Sequence, residues 1–339
     1  MKIKIKKIIS FSLMVLGFSC VGMAQQETQF TQYMFNRLAY NPAYAGSSGS
    51  ICLTLLYRNQ WLGFQLDSPT PDVEAGSTPV DYMLSFDTPV KFLHGGIGLN
   101  VIADEIGYHK SIYGSFDYAF RIYWGPGNLA AAIEGNFFNS TLDFTQLRGS
   151  SDLTGDYENP YTSASDPSLS EKSTSDFLID LSTGLYYQVP GSYYFGVSLK
   201  NILAAESDVL YFKNARNVYL MGGYEYTVPA NPSFKLKPSV LIRTADFATM
   251  QVDLSCLLDY QNLFWGGVSY RFQDAVSFLG GLNWKKLRVG VAYDLTTSKM
   301  GSFKQGFSAG TAELYLRYCF KVNNPPKPPS IYRNTRYLF

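Results

Sequence analysis

The chain has 339 residues, a formal net charge of +1 and a mean hydropathy near zero, which excludes a nucleic-acid binder, since that surface needs a basic excess to displace counterions. The length admits one large barrel or two ordinary domains at about 150 residues each. Aromatics make up 16% of the residues, with 26 Tyr and 24 Phe, an excess that fits ring edges lying at two membrane interfaces. At the start, Lys2, Lys4, Lys6 and Lys7 precede an apolar run from Ile8 to Val21, and Gly22-Met23-Ala24 supplies small residues at a cut site. A signal peptide over residues 1–24, cleaved after Ala24, is expected. Ser10, Ser12, Gly17 and Ser19 interrupt the run, which is shorter than the ~20 apolar residues of a spanning helix. Cys20 lacks the upstream Leu of a lipidated cysteine and leaves with the signal.

Residues 25–49 place Phe30, Tyr33, Met34 and Leu38 at helical spacing, and Asn41-Pro42 then disfavours further helix. A turn or two of helix is expected, docked at the periplasmic side of a barrel because its aromatics need burial. Next, Ile51, Leu53, Leu55 and Tyr57 alternate with Thr54 and Arg58 as a first strand, closed by Asn59-Gln60-Trp61. Asn41-Pro42-Ala43-Tyr44-Ala45-Gly46 followed by Tyr57-Arg58-Asn59-Gln60-Trp61 resembles the opening of the PorP/SprF family, outer-membrane proteins of type IX secretion in Bacteroidetes. Phe86-Asp87-Thr88-Pro89, Gly98-Leu99-Asn100-Val101-Ile102, Asp117-Tyr118-Ala119-Phe120-Arg121, Leu236-Lys237-Pro238-Ser239 and Tyr293-Asp294-Leu295-Thr296-Thr297 resemble the same family in the same order, across nearly the whole mature chain.

The resemblance implies a non-enzymatic outer-membrane component of type IX secretion or gliding motility. Such a component would engage periplasmic ring or lipoprotein partners and help secrete or anchor an adhesin-like client. Candidate partner-binding residues are Asn41, Pro42, Tyr44 and Gly46, then Tyr57, Arg58, Asn59, Gln60 and Trp61. In the tail, Asn323-Asn324-Pro325-Pro326-Lys327-Pro328-Pro329 reads as an extended spacer. It is either a loose periplasmic end or a tether that delivers Tyr332, Tyr337 and Phe339 to a partner or the barrel mouth.

Independently of the family, two-residue alternation runs through the chain. It is clearest where Val252, Leu254, Cys256, Leu258 and Tyr260 oppose Asp253, Ser255 and Asp259, and where Leu287, Val289, Val291 and Tyr293 oppose Arg288 and Asp294. Strands are predicted over 50–58, 79–87, 95–103, 110–124, 128–139, 175–188 and 192–200, then over 216–228, 233–244, 250–260, 263–273, 275–284, 286–294 and 311–320. About fourteen antiparallel strands make an all-β transmembrane barrel of even number. The long connections, 59–78, 140–174, 201–215 and 295–310, all follow odd strands. The even-to-odd connections, such as Gly125-Pro126-Gly127 and Pro190-Gly191, are tight turns. That parity places both termini in the periplasm, with 140–174 the largest external loop.

Charges keep to the polar parity: Asp117, Arg121, Glu134, Asp180, Glu225, Arg243, Asp253, Arg271, Arg288, Glu313 and Arg317. A midplane Arg or Lys facing lipid costs about 2–4 kcal/mol. The mixed signs read as a salt-bridged wall, whereas a selective pore favours rings of one sign. A passive porin or small-solute channel stays open as the runner-up, and an outer-membrane enzyme is a third class. No cofactor or metal is expected: His94 and His109 lie at a turn and a rim without a nucleophile elbow, and no Cys/His pair has zinc spacing. Gly95, Gly96 and Gly98 fall inside an alternating strand, so close packing explains them better than nucleotide binding. Cys52 and Cys319 share the polar parity near the first–last strand seam, but free thiols are the expectation, because a slip in register would part them beyond the ~7 Å a disulfide tolerates.

Overall fold

A computed structural model describes residues 28–62, 78–143, 173–210, 212–297 and 310–321. The expected signal peptide, the tail with Tyr332, Tyr337 and Phe339, and most of three long connections lie outside the described residues.

Every predicted strand is present. In chain order they are β1 (Ser50–Leu62), β2 (Val80–Val90), β3 (Gly95–Ile106), β4 (His109–Trp124), β5 (Gly127–Leu142), β6 (Thr174–Val189) and β7 (Tyr193–Lys200). They continue as β8 (Asn217–Tyr224, resumed at Tyr226–Thr227), β9 (Phe234–Ala245), β10 (Thr249–Tyr260), β11 (Phe264–Arg271), β12 (Ala275–Trp284), β13 (Leu287–Thr296) and β14 (Gly310–Lys321). Each pairs antiparallel with the next, and β1 pairs with β14, so the sheet closes into a 14-strand barrel without an edge. A short hairpin, Glu206–Ser207 with Phe212–Lys213, stands in the connection between β7 and β8. Among the described residues no helix is long and apolar enough to cross a membrane.

The alternation sorts side chains as the sequence indicates. On β1, Ile51, Leu53, Leu55 and Tyr57 are exposed outward, while Cys52, Thr54, Leu56 and Arg58 are buried. On β10, Leu254, Leu258 and Tyr260 face out while Asp253, Ser255, Leu257 and Asp259 face in. Exposed Phe92, Tyr123, Trp124, Phe264, Trp284 and Phe320 mark the end of the barrel that carries the tight turns, an aromatic girdle at one membrane interface.

Two expectations change. The first strand does not stop at Arg58: Asn59 still pairs with Ala312 and Val80, and β1 runs on through a bulge to Leu62. Cys52 and Cys319 are not free thiols. The β1–β14 register sets them directly opposite, with Cα atoms 4.2 Å apart, and they form a disulfide across the seam. The slip that would have parted them does not occur, because the long β1–β14 ladder is in register from Ser50 to Asn59. Cys256 is the free cysteine among the described residues.

Candidate functional site: the plugged lumen

Residues 28–49 thread the lumen. The expected helical turns are 3-10 turns, Arg37–Ala39 and Pro42–Tyr44. Proline suits the first position of such a turn, where its missing N–H is no loss, and the Asn41 side chain caps it by accepting from the Ala43 N–H at 2.9 Å. Thr28 lies beside Gln60, Trp61, Asp274 and Thr296 at the end carrying the long connections. Ser48 bonds Asp87 near the tight turns. The segment spans the lumen from one end to the other, because the wall supplies apolar and hydrogen-bonding partners along that whole path.

The turns satisfy part of the plug backbone, with Phe35, Tyr40, Tyr44 and Ala45 donating to the carbonyls of Gln32, Arg37, Asn41 and Pro42; other backbone groups need partners elsewhere, and charged wall side chains provide them. At its head, the Glu313 carboxylate accepts the N–H groups of Thr31 and Gln32 at 2.8 and 2.9 Å. The Thr31 hydroxyl donates to Asp294 at 2.7 Å. Arg58 donates to the Thr31 oxygen at 3.0 Å and pairs with Glu313 at 3.2 Å and Asp294 at 3.3 Å. Further along, Tyr315 and Arg317 donate to the Phe35 carbonyl at 3.2 Å each. Lys200 donates to the Ala39 carbonyl at 2.7 Å while pairing with Glu134 at 3.6 Å. Arg121 donates to the carbonyls of Ala45 and Gly46 at 2.7 and 3.0 Å. Buried cations are tolerable only when paired and hydrogen-bonded, and the plug carbonyls complete their sets.

Packing fixes the plug laterally. The Phe35 ring lies 4.6 Å from that of Trp265. The Arg37 guanidinium covers the Tyr194 ring at 3.7 Å and donates to Tyr186 at 2.9 Å. Leu56, Met83, Tyr219, Leu241 and Leu257 form one buried core with Phe30, Tyr33, Leu38 and Tyr40. At several places the plug leaves room only for glycine: a Cβ on Gly184 would overlap the Asn41 amide, and one on Gly96 would overlap Ala45 and Gly46. The second gives the glycine triplet a specific reason, since the plug backbone presses against it.

The structure brings Asn41, Pro42, Tyr44, Gly46 and Arg58 into this one assembly, all inside the barrel. Gln60 donates to Asp81 at 3.2 Å and the Trp61 N–H to the Thr311 hydroxyl at 3.3 Å, at the long-connection end. Tyr57 faces outward against Tyr82, with ring centroids 5.3 Å apart, and Asn59 accepts from Thr78 at 3.1 Å. Sequence reasoning missed the wall side of the site, namely Tyr186, Lys200, Trp265, Asp294 and Tyr315. One signal was available: Leu56, Met83, Tyr219, Leu241, Leu257 and Trp265 are large apolar residues on the lumen parity, which a water-filled lumen would not need. His109 bonds Ser140 at 2.7 Å, and His94 occupies a left-handed turn. Among the described residues no group of His, Cys, Asp or Glu side chains has the arrangement to hold a metal.

A closed fourteen-strand barrel with a threaded lumen fits several outer-membrane families, and the sequence decides among them. The profile of the type IX secretion system membrane protein PorP/SprF matches residues 22–318. The chain belongs to the PorP/SprF family. Most of the barrel and the whole described plug fall within the PorP/SprF match, including Asn41–Gly46 and Tyr57–Trp61. Comparison with curated proteins gives no match. Among solved structures, the Acinetobacter baumannii outer membrane protein Omp33 is similar at 8% identity and TM-score 0.43, over 80% of this chain and 99% of that one. A Pseudomonas aeruginosa FadL homologue is similar at 11% identity and TM-score 0.42, over 82% and 92%. The chain is thus an outer-membrane β-barrel of the type IX secretion system.

Proposed function

We propose that this barrel serves type IX secretion, or its gliding branch, as a non-enzymatic platform. Its turn rim engages periplasmic ring or lipoprotein components, and its long connections help secrete or anchor an adhesin-like client at the cell surface. The observation that carries the reading is the plug: a lumen filled by residues 28–49 of the same chain and held by buried ion pairs serves binding better than flow. Tyr57 and Asn59 at the outer end, and Tyr332, Tyr337 and Phe339 of the tail, remain the candidate contacts outside the lumen. In this reading the tight turns and both ends of the strand array lie in the periplasm, while the head of the plug at Thr28 reaches the outer half of the lumen. The passive porin is the second reading, and the mixed-charge, salt-bridged wall counts against it as the plug does.

Pull-down of the tagged protein from native outer membranes tests the proposal. Co-purification of periplasmic secretion components and a surface client is expected. A preparation that brings down neither, from cells whose client display survives deletion of the gene, contradicts it.

A further inference from the structure

Besides the apolar wall residues that pack on the plug core, the lumen wall carries a further apolar stretch. On the inward parity of β3 and β5, just below the long-connection end, Ile102, Phe138 and Leu142 stand half-buried. Facing them are Phe30 and Tyr40 of the plug, and Leu210 and Phe212 from the β7–β8 connection. Phe138 and Phe212 meet edge to face at 5.7 Å, which ties that connection to the wall. Together these groups bound a cavity of about 480 Å³, within the range of small-molecule sites, which are mostly apolar with a few directed polar groups.

The polar groups on its walls narrow the ligand. Its two lysines are paired, Lys200 with Glu134 at 3.6 Å inside the wall and Lys213, at the exposed mouth, with Glu206 at 3.4 Å. His109 is bonded to Ser140, and the carboxylate of Asp104 also lines the space. What can face a ligand is neutral: the Ser111 hydroxyl, the Asn214 amide and the amide oxygen of Asn217, whose Nδ2 donates to the Ala215 carbonyl at 3.2 Å. An anionic headgroup would meet a carboxylate and engaged cations, whereas a hydroxyl or ester would meet hydrogen-bonding partners of its own kind.

We propose that this cavity binds an uncharged amphiphile, a flexible acyl or alkyl chain bearing a neutral polar head, between the plug and the β3–β5 wall. The site is independent of the secretion role, because it rests on the cavity alone.

Photo-crosslinking of the full-length barrel in lipid nanodiscs tests it, with a diazirine-bearing decyl alcohol as probe. Expected is saturable labelling of the peptides holding Phe138 and Phe212, competed about tenfold better by 1-decanol than by decanoate. Ile102→Trp, which fills the cavity from the wall, should abolish that labelling while lipid-facing peptides such as that of Leu254 are labelled as before. Leu142→Trp does the same from β5, and heat-modifiable migration on gels verifies that either variant is folded. Labelling confined to lipid-facing peptides, undiminished lumen labelling in a folded filling variant, or equal competition by decanoate overturns the proposal.

Discussion

Arg58 receives its meaning from residues far along the chain: Glu313, 255 positions away, with Asp294 and the Thr31 hydroxyl. Replacing it by Ala leaves buried carboxylates without their nearest cation, a loss of about 3–5 kcal/mol in comparable buried pairs. The outer ladder is untouched, so Arg58→Ala should still insert as a heat-modifiable barrel. Its backbone amides at 30–36 should exchange orders of magnitude faster by hydrogen-exchange mass spectrometry, and client display should fall. Gln60→Ala, which removes one bond to Asp81, should cost only about 0.5–1.5 kcal/mol. A second residue-scale test uses the socket at Gly184. Gly184→Ala should loosen the plug, and adding Asn41→Gly, which removes the overlapping amide, should restore part of the loss in a double-mutant cycle. Alternation on the first strand puts Arg58 on the lumen parity, but nothing local says that it meets Glu313, Asp294 and Thr31, or that Asn41 is turned inward. That depends on partners that only the closed sheet brings near.

At the scale of elements, strands were legible and the plug was not. Period-two alternation survives lipid outside and charge inside, so all fourteen strands could be placed from pattern alone, with errors at ends such as Asn59–Trp61, where a bulge prolongs β1. The N-terminal segment has too little regular structure for periodicity to reveal its path, and only the inward Leu, Met, Tyr and Trp side chains of the wall record it. The sequence places Cys52 and Cys319 near the seam but does not decide between a bridge and free thiols, since a one-residue register choice does. The bridge yields a direct check. Of the three cysteines among the described residues, an alkylating reagent should label Cys256 alone in the unfolded but unreduced protein, and after reduction Cys52 and Cys319 as well. Because the bridge spans 267 positions, Cys52→Ser should lower resistance to unfolding by an amount chain entropy puts at about 5–6 kcal/mol, read as a lower temperature for the gel-mobility transition.

For the molecule as a whole, the outward apolar belt places the barrel in a membrane, and the family places that membrane at the outer surface of a cell with type IX secretion. The proposed orientation, with both termini in the periplasm and 140–174 the largest external loop, has a direct check: external protease on intact cells should cut within 140–174 while sparing Lys327 in the tail. A cut at Lys327 would reverse it. Single-channel recording in planar bilayers tests the central claim, that the chain stoppers its own barrel. The intact protein should show no stable conductance, and a form lacking residues 28–47 should open steady steps in the range of other barrels with unfilled lumens. Steady conductance from the intact, folded protein, equal to that of the truncated form, would contradict it.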